Sequence, residues 1–400
     1  MKKIIYLIPL LFSGFQFTSC SNSSEGKVPK SGFGPNGDLT FHITSEMAEM
    51  NVLLSELVED YYFIHLETNP NCFISSIQGV HFAGDNLYVH DEEMVRPALR
   101  FDTKGKFLNV IGAVGEGPGQ YMGVADFDID AHEERLIVSD QISLSYFDYQ
   151  GDFISTKRTD IIHSGIRVIN DSLYCLMGGG EDDRIIIINK KGIQLNSRIP
   201  YKKGLAVGMN NQMQRVSDGV ISYTPFFYDT IFLIQNKEVF ASRIFDFGNE
   251  KFTYEDYETR FQDNLIAFLK YMRNNSISKI SQYFESKDII LATIRFENRP
   301  YMMLYSKLSK ETKVIDVKTI DNELLLAKSF PYGICGFYNE YLIVSVDSDF
   351  IIKKVEEFKN THTESAQDEN IYFQKLSKLA SKIHDEDNPV LMLVKFKTKS

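Results

Sequence analysis

The chain has 400 residues, a net charge of −11 and 43% hydrophobic residues, with 30 Phe, 21 Tyr and no Trp. That length and apolar content suit one large all-β domain or two to three smaller domains. The acidic balance lacks the basic footprint of a nucleic-acid binder and offers no polybasic patch for a membrane surface.

In chain order, Lys2 and Lys3 precede a mostly apolar run over residues 4–17 that is too short to span a bilayer as a helix. Thr18-Ser19-Cys20 follows and resembles a bacterial lipobox, with Phe17 in place of the usual Leu. Residues 1–19 therefore read as a lipoprotein signal peptide and Cys20 as the lipidated first residue of the mature chain, an ordinary signal peptide being the alternative. Residues 20–50, opening with a Ser-, Gly-, Lys- and Pro-rich stretch, read as a flexible tether. No later apolar run reaches membrane-spanning length, so the lipid is the expected attachment to the membrane.

Residues 51–400 carry an internal repeat. A polar turn followed by an apolar strand recurs at Leu87-Tyr88-Val89, Leu136-Ile137-Val138, Leu173-Tyr174-Cys175, Val220-Ile221-Ser222, Ile289-Ile290-Leu291 and Leu342-Ile343-Val344. In the first three units a second signature follows: Phe101-Asp102-Thr103-Lys104-Gly105, Phe147-Asp148-Tyr149-Gln150-Gly151 and Ile188-Asn189-Lys190-Lys191-Gly192. The Asp or Asn caps a hairpin turn and the Gly supplies its positive φ. Units of several short strands, roughly forty to fifty residues apart, are the mark of propeller blades. The predicted fold is an all-β, six-bladed β-propeller with two helical insertions, at about 252–274 and 364–384, where apolar residues fall at near-helical spacing. The early strand Tyr61 to Leu66 is expected to complete the sixth blade beside Val390 to Phe396, closing the ring and removing an open edge.

Several segments resemble the six-bladed β-propeller lipoproteins of Bacteroides-type bacteria, a family similar to NHL-repeat propellers. They are Cys20, Tyr62 to Thr68, Gly115-Glu116-Gly117-Pro118-Gly119-Gln120-Tyr121, Asp126 to Asp130, Tyr228-Asp229-Thr230-Ile231 and Asn388-Pro389-Val390-Leu391. Gln120 stands where that family has Glu. The resemblance covers roughly residues 52–397. It implies the propeller fold and a cell-envelope location at the outer membrane, periplasmic or surface-exposed. It implies no biochemical activity.

The candidate site residues divide by chemistry. Gly115, Gly117, Pro118, Gly119, Gln120 and Tyr121 form a loop whose closely spaced amides can cradle an anion. The loop is neither a Walker A nor a dinucleotide motif, and a tight crossing between blades explains it equally. Asp126, Asp128 and Asp130 share one strand face, which suits either Ca²⁺ or a wet rim of turn-capping acids. Arg96 and Arg299, each followed by Pro, offer cations for an acidic or sugar ligand. His65, His81, His90 and His163 show no metal-ligand spacing, although a ring can gather distant histidines at its axis. Cys72, Cys175 and Cys335 read as buried free thiols or as one bridge plus a thiol. No catalytic motif stands out. The expected role is a non-enzymatic binding module for a glycan, peptide or envelope protein. It requires no cofactor, and its oligomeric state is left open. The alternative is a metal-assisted lactonase, lyase or hydrolase at the axis.

Overall fold

The computed structural model describes residues 39–398 except 92, 94–96, 180–182, 200–211, 227, 249–251, 263, 275–277, 298 and 331–332. Cys20, the signal peptide and Arg96 lie outside the described residues.

Six antiparallel sheets follow one another along the chain. Blade 1 is Ile77–Ala83, Asn86–Asp91, Ala98–Asp102 and Phe107–Ile111, ordered from inside to outside. Blade 2 is Asp126–Asp130, Arg135–Ser139, Ser143–Asp148 and Phe153–Arg158. Blade 3 is His163–Val168, Leu173–Gly178, Ile185–Asn189 and Gln194–Arg198. Blade 4 is Met213–Ser217, Val220–Tyr223, Thr230–Gln235 and Glu238–Asp246. Blade 5 is Lys279–Glu285, Ile289–Phe296, Arg299–Ser306 and Thr312–Asp316. Blade 6 is Ile334–Tyr338, Tyr341–Val346, Val390–Phe396 and, as its outer strand, Val58–His65 from the start of the domain. The last pairing is antiparallel and runs from Val58 against Phe396 to His65 against Val390. It is the expected clasp.

The first strands of successive blades touch from blade 1 to blade 5, and that of blade 6 touches that of blade 1. Between blades 5 and 6, Gln282 Nε2 donates to the Ile334 carbonyl at 3.3 Å and the Phe284 and Phe337 rings stack at 6.2 Å. The ring therefore closes. Its core is a set of wedges between neighbouring sheets. One of them joins Ile137, Leu144 and Tyr146 of blade 2 to Ile166, Tyr174 and Leu176 of blade 3.

The hairpin signature has a direct geometric cause. Asp102 Oδ1 accepts from the amides of Lys104 and Lys106, Asp148 Oδ1 from those of Gln150 and Asp152, and Asn189 Oδ1 from those of Lys191 and Ile193. Gly105, Gly151 and Gly192 take φ of 88°, 93° and 79° to close these turns. Strand alternation puts all such tight turns on one face of the ring, together with the turns between first and second strands. The longer connections, both helical insertions among them, emerge on the opposite face.

Three sequence expectations need correction. The tether does not extend to residue 50, because Leu39–His42 adds in parallel to the outer edge of blade 4 and Ala48–Glu49 to that of blade 5. These additions satisfy edges that would otherwise be open. The helix expected over 252–274 is two helices, Tyr254–Phe261 and Leu265–Asn274. The first is started by a Thr253–Asp256 capping box and stopped by Gln262 at φ 45°. The second insertion begins earlier than 364, with the helix Ser348–Thr361, and continues as Glu364–Glu369 and Ile371–Ala380. Thr363 and Asn370 side chains cap the later two, so one apolar periodicity is divided by its own capping residues. Among the described residues no helix is long and apolar enough to cross a membrane.

Candidate functional site: a charged cavity on the axis

In each blade the first strand has one edge in the sheet ladder and one edge toward the axis. Amides on the free edge need partners from elsewhere. For blade 3 the partners are the aspartates of blade 2. Asp126 Oδ2 accepts from Ile166 N at 3.0 Å and Asp128 Oδ2 from Val168 N at 2.7 Å. The alternation of the Asp-x-Asp-x-Asp run matches the alternation of those amides.

Arginines complete the cluster. Arg167 Nη1 donates to Asp126 Oδ2 at 2.6 Å and to the Ile166 carbonyl at 2.5 Å, and its Nε donates to the Met213 carbonyl at 3.2 Å. Arg215 Nη2, from blade 4, reaches across to Asp128 Oδ2 at 2.8 Å. Asp130 pairs with Arg135, whose Nη2 also donates to the Tyr174 hydroxyl at 2.6 Å. Asp128 and Asp130 are 2% and 0% exposed, so the expected wet rim of acids is instead a buried ion-pair network between blades. Burial works to raise the Asp128 carboxyl. Arg215, Arg167 and His81 more than offset it and hold the group below the usual carboxylate range. Among the described residues no three His, Cys, Asp or Glu side chains converge as a metal centre would. The three acids expected as a Ca²⁺ candidate are each directed to an arginine.

Two of the four histidines meet here. His81 and His90 both pack against Phe127, with ring centroids 4.2 Å and 5.0 Å away. His81 Nδ1 stands 3.7 Å from Asp128 Oδ1. Burial pushes both imidazoles down to about 3. Asp128 opposes the shift at His81 while Arg167 and Arg215 reinforce it, and at His90 the neighbouring His81 and Arg167 add to burial. Both rings are neutral at physiological pH. Gly79 makes room for His90: a Cβ at Gly79 would lie 2.5 Å from His90 Cε1. Among the described residues neither ring nitrogen of His90 has a hydrogen-bond partner. His65 is elsewhere, facing Asp387 at 3.6 Å, and His163 is tied to the Ile161 carbonyl at 2.9 Å.

A cavity of about 300 Å³ opens over this network on the tight-turn face. His81, Asp128, Arg167, Gln214 and Arg215 line it, with Phe82 and Tyr338 stacked at 4.6 Å in its wall between blades 1 and 6. The Arg167 and Asp128 side chains are 7% and 3% exposed, whereas Arg215 is 38% exposed. A larger cleft, about 1000 Å³, lies on the insertion face between the helix Ser348–Thr361 and residues 321–330. Its lysines are already paired, Lys354 with Glu357 at 2.6 Å and Lys328 with Asp321.

The glycine-rich loop lies away from the axial cavity, between blades 1 and 2 on the insertion face. Its amides are largely consumed: Ala113 N donates to Gly119 O, Gly115 N to Tyr121 O, Gln120 N to Gly117 O, and Gly117 N to Gln120 Oε1 at 2.8 Å. Tyr121 is buried and its hydroxyl donates to the Ile111 carbonyl at 2.5 Å. Pro118 sits within the turn between Gly117 and Gly119. The loop is an interblade crossing, and the amides expected to cradle an anion face their own chain. Gly112 enters it at φ 65°, and a Cβ there would lie 2.9 Å from Gly119 O and 2.7 Å from a Tyr121 ring carbon. Gly112→Ala is expected to cost about 1–3 kcal/mol, measured by urea unfolding. Arg299 opens the third strand of blade 5 and pairs with Asp316 at 3.1 Å, far along the chain from the axial residues. Cys72, Cys175 and Cys335 are buried free thiols.

Arg167, Arg215 and Gln214 were not singled out by sequence. A signal existed: aligned on the repeat, each arginine sits in the first strand of its blade, a few residues before the turn, at a level where a charge must face either the axis or a neighbouring blade.

With this geometry in view, the family is decided by the extent of the match. Residues 39–395 match the model of a domain of unknown function, DUF4934. The chain belongs to the DUF4934 family. A crystal structure of a candidate exported protein from Bacteroides fragilis is similar in fold, with a TM-score of 0.74 at 16% identity over 90% of this chain and 99% of that one. More distant likenesses include the β-propeller domain of the Trilobed protease of Pyrococcus furiosus, with a TM-score of 0.36 at 10% identity over 68% of this chain and 77% of that one. A luciferin-regenerating enzyme has a TM-score of 0.41 at 9% identity over 84% of this chain and 95% of that one. No curated protein matches the sequence. The likenesses speak to the fold of this DUF4934 chain alone.

Proposed function

We propose that this DUF4934 chain is a lipid-anchored binding module of the cell envelope, held at the outer membrane through Cys20, and that it takes its ligand non-enzymatically at the axial cavity. The observation that carries the reading is the state of the axial charges. Asp128 and Arg167 are buried, Asp126 is nearly so, and all three are bonded to one another or to backbone, so they build a rigid floor. Arg215 alone among these four presents a substantially exposed charge to the cavity. A pre-paired floor beneath a small mouth suits recognition, because the ligand meets groups that need no reorganisation. The signal-like N-terminus and the likeness to a candidate exported protein support the location.

Incubation of the purified full chain with a small-molecule and glycan extract of the envelope tests the reading by mass spectrometry. The expected result is a compound retained by the protein and recovered unchanged, with retention lost in the cavity-filling variant Gln214→Trp. Conversion of a compound to a new product, abolished by the same variant, would overturn it in favour of catalysis.

A further inference from the structure

We infer that the axial ligand is a small organic monoanion, a carboxylate of sugar-acid size, gripped by Arg215. This inference rests on the axial cavity being the ligand site. Three observations lead to it. First, Arg215 has spare capacity. A guanidinium carries five N–H donors, and among the described residues its one ion pair uses Nη2 on Asp128. Among those residues the rest of the fork is left to take a planar carboxylate side-on. Arg167, by contrast, is engaged with a carboxylate and two carbonyls.

Second, the charges limit the ligand to one negative charge. Asp126, Asp128, Arg167 and Arg215 sum to zero, His81 is neutral, and Asp218 lies at the mouth. A dianion such as a phosphate monoester would bring two charges against buried Asp128 and nearby Asp218 with one exposed guanidinium to meet them. A monoanion adds only one charge, and the directional hydrogen bonds of the exposed Arg215 edge meet it. Third, the size agrees. A volume of about 300 Å³ equals roughly ten waters, which fits a single sugar ring or a short hydroxy acid. The stacked Phe82–Tyr338 pair supplies an apolar wall for the ligand's carbon skeleton.

Asp128 acts as the positioning residue. It fixes one edge of the Arg215 guanidinium and is itself fixed by Val168 N, so the free edge is aimed before any ligand arrives. The anion reader is thus built from blade 2 and blade 4, with blade 3 as the strut between them.

Calorimetric titration of the full chain with D-glucuronate, lactate and acetate, each against its uncharged counterpart (methyl glucoside, propanediol and acetamide), tests the ligand class. At least one carboxylate is expected to bind about tenfold or more tightly than its counterpart. R215Q should lose about tenfold or more of that affinity, and R215K, which keeps the charge but not the fork, should weaken it measurably. Circular dichroism of R215K guards against a folding defect. Equal binding of the uncharged counterparts, an unchanged affinity in both variants, or no carboxylate binding would overturn the inference. If methyl glucoside binds and Gln214→Trp removes it, the cavity remains the ligand site and only the anionic class falls. If the envelope-extract ligand survives Gln214→Trp, the site itself is wrong.

Discussion

Asp128→Ala is expected to destabilise the chain by about 2–4 kcal/mol, most of it from a buried amide left without its acceptor and up to about 1 kcal/mol from an ion pair whose arginine is partly exposed. The loss has two parts. Val168 N is left as an unsatisfied donor on the free edge of blade 3, and Arg215 loses the acceptor that fixes it. Asp128→Asn isolates the charge: Val168 N and Arg215 Nη2 both donate to Oδ2, and an amide oxygen in that place can still accept from both, so about 1 kcal/mol is expected from the lost charge. Urea unfolding of the three proteins at pH 7 makes the comparison. Equal and small losses would mean that the inter-blade network contributes little and that apolar wedges alone hold blades 2, 3 and 4 together.

The second large effect is acid destabilisation that begins well above the carboxylate range. His81 and His90 have folded values pushed down to about 3, against about 6.5 when free. Between those limits the unfolded chain binds protons that the folded chain refuses. Stability is therefore complete above pH 6.5 and is lost as pH falls toward 3. Each histidine contributes a slope of up to about 1.4 kcal/mol per pH unit. From pH 6.5 to 5, before carboxylates titrate, each should remove up to about 2 kcal/mol. His163, also lowered by burial, adds in the same direction. Urea midpoints at pH 7, 6 and 5 test this, with His90→Leu as the comparison, because His90 has no hydrogen bond among the described residues to lose. The variant should show a flatter profile. A wild-type midpoint constant from pH 7 to 5 would show that the imidazoles are not held neutral.

The sequence made the blade architecture legible because each blade repeats a local event. The turn at Asp102 to Gly105 is a side-chain cap plus a positive φ, and both are visible within five residues. The clasp of Val58–His65 on Val390–Phe396 followed from counting strands, since an unpaired early strand needs an edge. The helix Ser348–Thr361 was missed although Ile351, Val355 and Phe358 fall four and three residues apart. That short stripe lies between lysines and glutamates directly after a strand. The Asp-x-Asp-x-Asp run was visible, but its meaning was not. The partners of Asp126 and Asp128 stand 40 to 87 residues away in two other blades, and only the closed ring brings them within hydrogen-bond distance. A carboxylate triplet without its arginines looks the same as a Ca²⁺ site or a solvated rim. The arginines in turn look like surface charge until the axis is known.

The same argument explains why the glycine-rich loop attracted attention that the axis did not. Gly115 to Tyr121 is a dense local motif, and its density arises from a tight crossing in which backbone groups satisfy each other. The axial cavity is assembled from isolated residues of several blades.

The most direct measurement is a crystal structure of the full chain carrying the ligand captured from the envelope extract. The account predicts ligand density at the tight-turn mouth of the axis, within hydrogen-bond distance of the Arg215 guanidinium and against the Phe82–Tyr338 pair. Density instead in the larger cleft beneath the helix Ser348–Thr361, with the axial cavity holding only water, would contradict it.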